Sequence, residues 1–310
     1  MSEKYGIPYQ GSKTKIIDEI AKWFPSAENF YDLFGGGFSV THYMLENRFK
    51  DYKHFYFNEL RPNICELIKD AIAGKYSYNV FKPKWISKAE FDELKYKDAY
   101  IQLIWSFGND GRTYLFGKEI EPQKKAMHQA CVFDEFDEFM VTTFGISEWR
   151  EDLKTPKDKR LFLKKLCKER IDLQQLQQLE RLEQLERLEQ LERLEQLERL
   201  NLTLTNKDYR EVEILPNSVI YCDVPYSNSK NYGCSFDHQS FFNWADSQSN
   251  PVFISEYEIN DKRFELIEYI GHRSTMHTQN NNKVLEKLYG NKKAVELTKE
   301  QKSKEYLFFI

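Results

Sequence analysis

The sequence predicts an α/β protein built on a mostly parallel sheet. Short apolar runs rich in aromatic and β-branched residues alternate with segments of helical spacing. One of those runs, "ENFYDLF", passes through "GGG" directly into a helical segment. Glycines at such a turn let the strand swing sharply into the helix and let a cofactor approach the backbone.

Taken in order, "SKTKIIDEIAKWF" spaces Ile16, Ile17, Ile20 and Trp23 as on one helical face. "ENFYDLF" is a strand and "SVTHYMLEN" a helix. "HFYFNEL" is a second strand, followed by a helix, "RPNICELIKDAIAG", that Gly74 ends. "NLTLTN" alternates with period two, so a strand begins near Leu202. "SVIYCDVPY" and "PVFISEY" are later buried strands.

With 310 residues and 41% hydrophobic content, the chain can bury a sizeable core. Aromatics at 15% suit packing or base stacking. No apolar run reaches membrane-spanning length, and the N-terminus lacks the apolar stretch of a signal peptide. Cys65, Cys131, Cys167, Cys222 and Cys234 are scattered, odd in number and without metal-ligand spacing. They read as reduced thiols of a cytoplasmic protein, with no metal and no membrane partner expected.

The net charge of −4 lies entirely in residues 171–200, which hold eight acids and four arginines. The remaining 41 acids balance 41 bases, and residues 150–170 hold nine bases against four acids. Charge is segregated, and a basic face for nucleic acid is open to the chain. A solvated helix with snorkelling lysines explains the basic run equally well.

Leucine occupies every third position from Leu173 to Leu200, ten in all. At 100° per residue, a period of three walks the leucines about 60° around an α-helix per triplet. A 3₁₀ helix would stack them in line, although long 3₁₀ runs are uncommon. The composition favours an α-helical rod; a 3₁₀ helix and a small solenoid are the alternatives. Its simplest role is a spacer, and its functional alternative is self-association. Its acidic surplus argues against contact with phosphates.

Three acids carry the chemical argument. Asp32 ends the strand that precedes Gly35-Gly36-Gly37. Glu59 ends the next strand, where an acid accepts hydrogen bonds from ribose hydroxyls. Asp223 opens "DVPY" beyond a third strand. An acid, a backbone carbonyl and a flat ring suit a planar substrate carrying an amino group. Acceptors on both amino hydrogens favour the pyramidal, reactive nitrogen and stabilise the charge that develops there.

In this order the motifs resemble the Dam-like, D12 class, α-group DNA adenine-N6 methyltransferases. "YQGSK" is similar to the family's N-terminal cofactor motif through Tyr9, Gly11 and Lys13. "DLFGGG" resembles its methionine-end motif through Asp32, Phe34, Gly35 and Gly36. Glu59 matches the ribose acid. "FGNDGR" resembles the loop that faces DNA. "NKDY" resembles the strand near the cofactor adenine through Asp208 and Tyr209, and "DVPY" the catalytic tetrapeptide. "KVLEKLYG" resembles the C-terminal Glu-x-Leu-Tyr segment.

The resemblance implies a Rossmann-like, S-adenosylmethionine-dependent sheet with an inserted target-recognition region and a leucine-triplet helical repeat. Residues 1–75 and 201–310 would form the catalytic domain, 76–170 the DNA-binding region and 171–200 the leucine rod. The implied activity is site-specific methylation of a flipped-out adenine in double-stranded DNA, with restriction-modification as a setting. Asp223 and the Val224 carbonyl would accept the amino hydrogens, Pro225 would hold the backbone, and Tyr226 would stack on the base. Asp223 would also face the cofactor. Asn109, Arg112 and Lys118 are candidate DNA contacts, and Tyr114 a candidate stacking or wedging residue. "NDGR" reads equally as a tight turn. His238 reads as a structural residue after the catalytic loop rather than a base.

Two positions depart from the family pattern. Phe38 stands where the family has a small residue and would have to point away from the cofactor. Val224 stands where the family has proline. Valine also supplies the carbonyl, and Pro225 keeps it extended. The expectation is a changed rate or geometry without loss of catalysis. Cytosine-N4, RNA or glutamine methylation, and a catalytically silent relative that binds DNA or cofactor, are the competing readings. Asp223 favours adenine over the first group.

Overall fold

The computed structural model describes residues 4–170, 179–197, 201–225, 236–271 and 286–308. They fall into two units. One comprises Met1–Gly6, Ser12–Cys65 and Leu200–Ile310; the other comprises Ile7–Gly11 and Glu66–Arg199.

The first unit holds a seven-stranded sheet. Its strands are β1 (Asn29–Asp32), β2 (His54–Asn58), β3 (Leu202–Thr205), β4 (Ser218–Cys222), β5 (Val252–Glu256), β6 (Glu265–Ile270) and β7 (Glu286–Gly290). The spatial order is β3-β2-β1-β4-β5-β7-β6. The β3, β2, β1, β4 and β5 neighbours pair in parallel. β7 runs antiparallel to both β5 and β6. Strand order reverses between β1 and β4, the kind of switch point where α/β sheets bind ligands beyond their carboxyl ends.

Every residue of β1, β4 and β5 is buried, as strands covered on both faces must be. On one face Phe24 meets Phe30, Tyr221 and Phe253 at ring separations of 5.6, 5.4 and 5.1 Å. On the other, Tyr31, Ile220, Cys222 and Ile254 share a core with Phe241 and Ala245 from the helix His238–Ser247. Each large side chain so buried contributes roughly 1.5–3 kcal/mol. The helix Ser39–Asn47 forms the crossover between β1 and β2.

The described part of the second unit is helical. Its helices include Lys88–Leu94, Ala99–Ile104, Glu121–Phe133, Glu138–Phe144, Pro156–Arg170 and Glu183–Glu192. Side chains cap them: Ser87 and Glu90 form a reciprocal capping box, and Asp98 and Asp137 accept from the first-turn amides. Met127, Ala130, Cys131, Met140, Phe144, Leu163 and Cys167 pack with Leu179, Leu182 and Leu185.

The described residues of the leucine repeat do not form one continuous rod. An α-helix runs from Glu183 to Glu192 and a 3₁₀ segment from Arg193 to Leu197. Leu185, Leu188 and Leu191 drift around the α-helix, and the 3₁₀ segment then stops the drift at Leu194 and Leu197. All seven leucines from Leu179 to Leu197 are buried.

The charged residues of the repeat are bound into the same interior. Arg160 pairs with Glu186 and Glu189 at 3.0 and 2.9 Å. The Arg187 guanidinium donates to the carbonyls of Ile104 and Ser106 at 2.7 and 2.6 Å, closing the C-terminal end of the helix Ala99–Ile104. Removing it would strip the Ile104 carbonyl of this donor and leave the Ser106 carbonyl with the Asn109 N–H at 3.3 Å. Arg187→Ala is therefore expected to destabilise the protein by about 3 kcal/mol. Arg181→Ala, which removes an exposed arginine from its pair with Glu186, should cost under about 1 kcal/mol. Equal urea midpoints for the two variants would contradict this account of the repeat.

Candidate active site

Four acids predicted from sequence stand at the carboxyl ends of four adjacent strands: Asp32 on β1, Glu59 after β2, Asp208 after β3 and Asp223 after β4. The two on the central strands lie closest to the switch point, because Asp32 pairs in register with Tyr221.

Asp223 is partly buried and bonded to a buried lysine. Lys13 Nζ lies 2.8 Å from Asp223 Oδ1 and 3.1 Å from Glu286 Oε1. The backbone N–H of Lys13 donates to Ser39 Oγ at 3.2 Å, which fixes the segment against the start of the Ser39–Asn47 helix. Burial pushes the Asp223 carboxyl up to about 6; Lys13 opposes the rise and Glu286 adds to it. Glu286 lies in the "KVLEKLYG" segment, but nothing in its spacing marks it as a partner of Lys13.

Asp32 is fully buried. Its Oδ2 accepts from Thr41 Oγ1 at 2.8 Å. Its Oδ1 has no hydrogen-bond partner among the described residues. Burial pushes this carboxyl up to about 7, against the Thr41 hydrogen bond and with further repulsion from Asp223 and Glu59.

The glycine turn is shaped by packing as well as by access. A Cβ at Gly35 would lie 2.0 Å from the Phe57 ring, so this glycine makes room for a core side chain. Gly36 has φ 49 and donates its N–H to Glu59 Oε2 at 3.0 Å. Glu59 Oε1 accepts from the Arg61 N–H and Nε at 3.0 and 2.8 Å. A carboxylate oxygen offers two acceptor directions, so Oε2 can also take a hydroxyl. Burial raises the Glu59 carboxyl and these amide bonds oppose it.

Phe38 has a fully buried side chain. Its φ of 68 is left-handed, which costs a phenylalanine roughly 1–2 kcal/mol and a glycine nothing. The fully buried ring, set edge-on to Phe57 at 5.1 Å, offsets that cost. Val224 is likewise anchored, 2% exposed in the cluster of Phe241, Ile259, Phe264 and Tyr289.

The other predicted residues divide. Phe34 and Tyr209 meet at 5.4 Å in an aromatic group with Phe236 and Phe241. Asp208 caps its own turn and binds Arg210 Nε and Nη2, each at 2.8 Å. Tyr9 and Gly11 fall in the segment that groups with the second unit, and Gly11 is an exposed left-handed turn residue. Tyr226 lies outside the described residues.

In the second unit, Asp110 Oδ1 accepts from the Arg112 and Thr113 amides at 2.8 and 2.9 Å, so "NDGR" is a tight turn. Asn109 Nδ2 donates to the Leu103 carbonyl at 3.0 Å, whereas Arg112 and Lys118 are exposed. Tyr114 departs from the expected wedge. It is buried, with its hydroxyl donating to the Ile86 carbonyl at 2.7 Å. The exposed aromatic of this loop is Phe107, 65% accessible.

Asn58 is a residue that sequence reasoning passed over. Its Nδ2 donates to the carbonyls of Leu33 and Lys207, and its Oδ1 accepts from Thr205 Oγ1 and the Lys207 N–H. One buried amide thus ties together the loops after β1, β2 and β3. The only sequence signal was a polar residue closing an apolar strand.

Residues 9–139 match the family model for D12 class N6 adenine-specific DNA methyltransferase. The match spans the segment from Tyr9 through the "FGNDGR" loop and ends before β3, Asp208 and "DVPY". No curated protein matches the chain. Among solved structures, the rRNA methyltransferase aviRa from Streptomyces viridochromogenes is similar at 10% identity and a TM-score of 0.36, over 94% of this chain and 89% of that one. That likeness is too low to carry an argument. Among the described residues, no group of side chains could hold a metal ion and no helix is long and apolar enough to cross a membrane.

The family match supports a methyltransferase, and such a family implies use of S-adenosylmethionine. The residues present fit that molecule. Asp32 offers an orphaned buried acceptor beside the glycine turn, suited to a cationic group, and Glu59 Oε2 retains a direction for a ribose hydroxyl.

The raised Asp32 carboxyl gives a signed prediction. In the unfolded chain it ionises near 4; in the fold it keeps its proton to about 7. The folded state therefore binds more protons in that window, and stability falls as pH rises through it. Asp32→Asn removes the slope. Its melting midpoint should exceed that of the unchanged protein at pH 8, by a margin that narrows at pH 5. Its affinity for S-adenosylmethionine should drop at least tenfold. An identical pH slope in both proteins would refute the assignment.

Proposed function

We propose that this chain is a DNA adenine-N6 methyltransferase that acts on an adenine rotated out of the duplex. The observation that carries the reading is the Lys13–Asp223 ion pair beyond the switch point, with the unsatisfied oxygen of Asp32 on the neighbouring strand. When bound, S-adenosylmethionine supplies an electrophilic methyl group.

The chain's own residues do the rest. The Asp223 carboxylate accepts one amino hydrogen of the adenine and takes the proton that the nitrogen sheds. The Val224 carbonyl accepts the other hydrogen, and the anchored valine side chain holds that backbone still. Together these acceptors favour the transition state, in which the nitrogen is pyramidal and gaining positive charge. Tyr226 stacks on the base. Lys13 keeps Asp223 ionised near neutral pH, against burial and against Glu286. Arg112 and Lys118 are the candidates for phosphate contact, and the exposed Phe107 is the candidate for entering the base stack. Adenine is favoured over cytosine because the tetrapeptide opens with Asp223.

The test is transfer of labelled methyl from S-adenosylmethionine to unmethylated genomic DNA, with identification of the labelled base. Label on adenine, lost by at least a thousandfold in Asp223→Ala, is the expected result. Label on another base, or none, would refute the reading. The rate should rise with pH through about 6, because the protonated carboxyl cannot accept the amino hydrogen.

Val224→Pro gives a separate check on the tetrapeptide. It keeps the carbonyl and exchanges one buried side chain for another of similar size. Its turnover should stay within about fivefold of the unchanged protein, a difference of about 1 kcal/mol. A hundredfold rise would show that the valine had disabled the site.

A further inference from the structure

The imidazole of His238 bridges the two ends of the segment that follows the catalytic acid. Its Nε2 lies 3.0 Å from the Pro225 carbonyl oxygen. Its Nδ1 lies 3.2 Å from the Phe236 carbonyl oxygen. Both partners can only accept, so the ring must donate. The neutral ring has one hydrogen to give, and the shorter contact, to Pro225, favours Nε2 as its carrier.

The ring itself is held. It sits on the first turn of the His238–Ser247 helix, whose N-cap is Asp237 with its side chain accepting from the Ser240 amide at 3.0 Å. Phe236 packs edge-on against it at 4.9 Å, and Phe242 lies at 6.2 Å. Phe241 and Ala245 fix the helix in the sheet core, in the cluster that also takes Val224. Val224 and His238 thus pin the chain after Asp223 from two sides, one by apolar contact and one by a hydrogen bond.

We propose that His238 is a positioning residue for methyl transfer: its Nε2–H holds the Pro225 carbonyl and so aims the Asp223–Val224 acceptors at the substrate amino group. This rests on the methyltransferase reading above. His238 touches neither substrate nor cofactor. Its effect is on the geometry of two acceptors, which governs turnover, and not on the ligand contacts that govern binding.

The experiment compares His238→Ala and His238→Gln in the full chain. The glutamine amide can present a donor where Nε2 stands; alanine cannot. We expect His238→Ala to lower kcat at least tenfold, with the Kd for S-adenosylmethionine within twofold. His238→Gln should recover kcat to within about threefold of the unchanged protein. An alanine variant within twofold in kcat, or a glutamine variant as slow as alanine, would overturn the proposal. Loss of cofactor binding in both variants would also overturn it, by showing a merely structural role. Failure of the unchanged protein to methylate DNA would count against the functional reading instead. The clasp would then be read by imidazole nitrogen NMR. A protonated Nε2 supports the hydrogen bond to Pro225, and a bare Nε2 contradicts it.

Discussion

The buried ammonium of Lys13 is the constraint on which the site depends. Asp223 and Glu286 converge on it from β4 and β7, strands separated in the sheet by β5. Without a cation between them, two carboxylates in that setting could not both ionise. With it, Asp223 keeps an ionised form close to neutral pH even though burial drives it upward. The same lysine is tied by its backbone to Ser39, at the start of the helix that carries Thr41. Thr41 in turn holds one oxygen of Asp32 and leaves the other unsatisfied. A single residue near the N-terminus therefore couples the acid of β4, the acid of β1 and the antiparallel edge of the sheet.

Around that centre the fold pays for function in local strain and unsatisfied groups. Phe38 holds a left-handed backbone at the exit of the glycine turn, and its buried ring compensates. Asp32 keeps a buried oxygen without a hydrogen-bond partner among the described residues. Asn58 does the opposite work, meeting four backbone and side-chain groups to keep three loops in place. Unmet acceptors at the ligand end and a fully met amide behind them describe a site prepared for a cationic, hydroxyl-bearing ligand.

Much of this could be read from the chain itself, and the boundary is physical. The strands β1, β4 and β5 are short apolar runs buried on both faces, and β2 is a short aromatic run buried at most of its positions, so composition alone marks them. The turn after Asp32 announces itself by its glycines. β6 was hidden because "ELIEYI" mixes exposed and buried positions without regular alternation. The Lys13–Glu286 pairing joins residues far apart in sequence, which no local pattern reports. Tyr114 was misjudged for a related reason: an aromatic beside "NDGR" looks exposed until the Ile86 carbonyl that receives its hydroxyl is known. The leucine repeat shows the reverse case. Its period fits neither helix well, and the described residues answer by using both, with every leucine turned inward.

The most direct measurement is the ionisation of Asp223 itself, followed by carboxyl-carbon NMR in the unchanged protein and in Lys13→Met. The account predicts a midpoint near 6 that moves upward by at least one unit when the ammonium is removed, because Glu286 and burial then act unopposed. A midpoint that stays in place or falls would contradict it, and would mean that Lys13 does not hold the catalytic acid in its charged form.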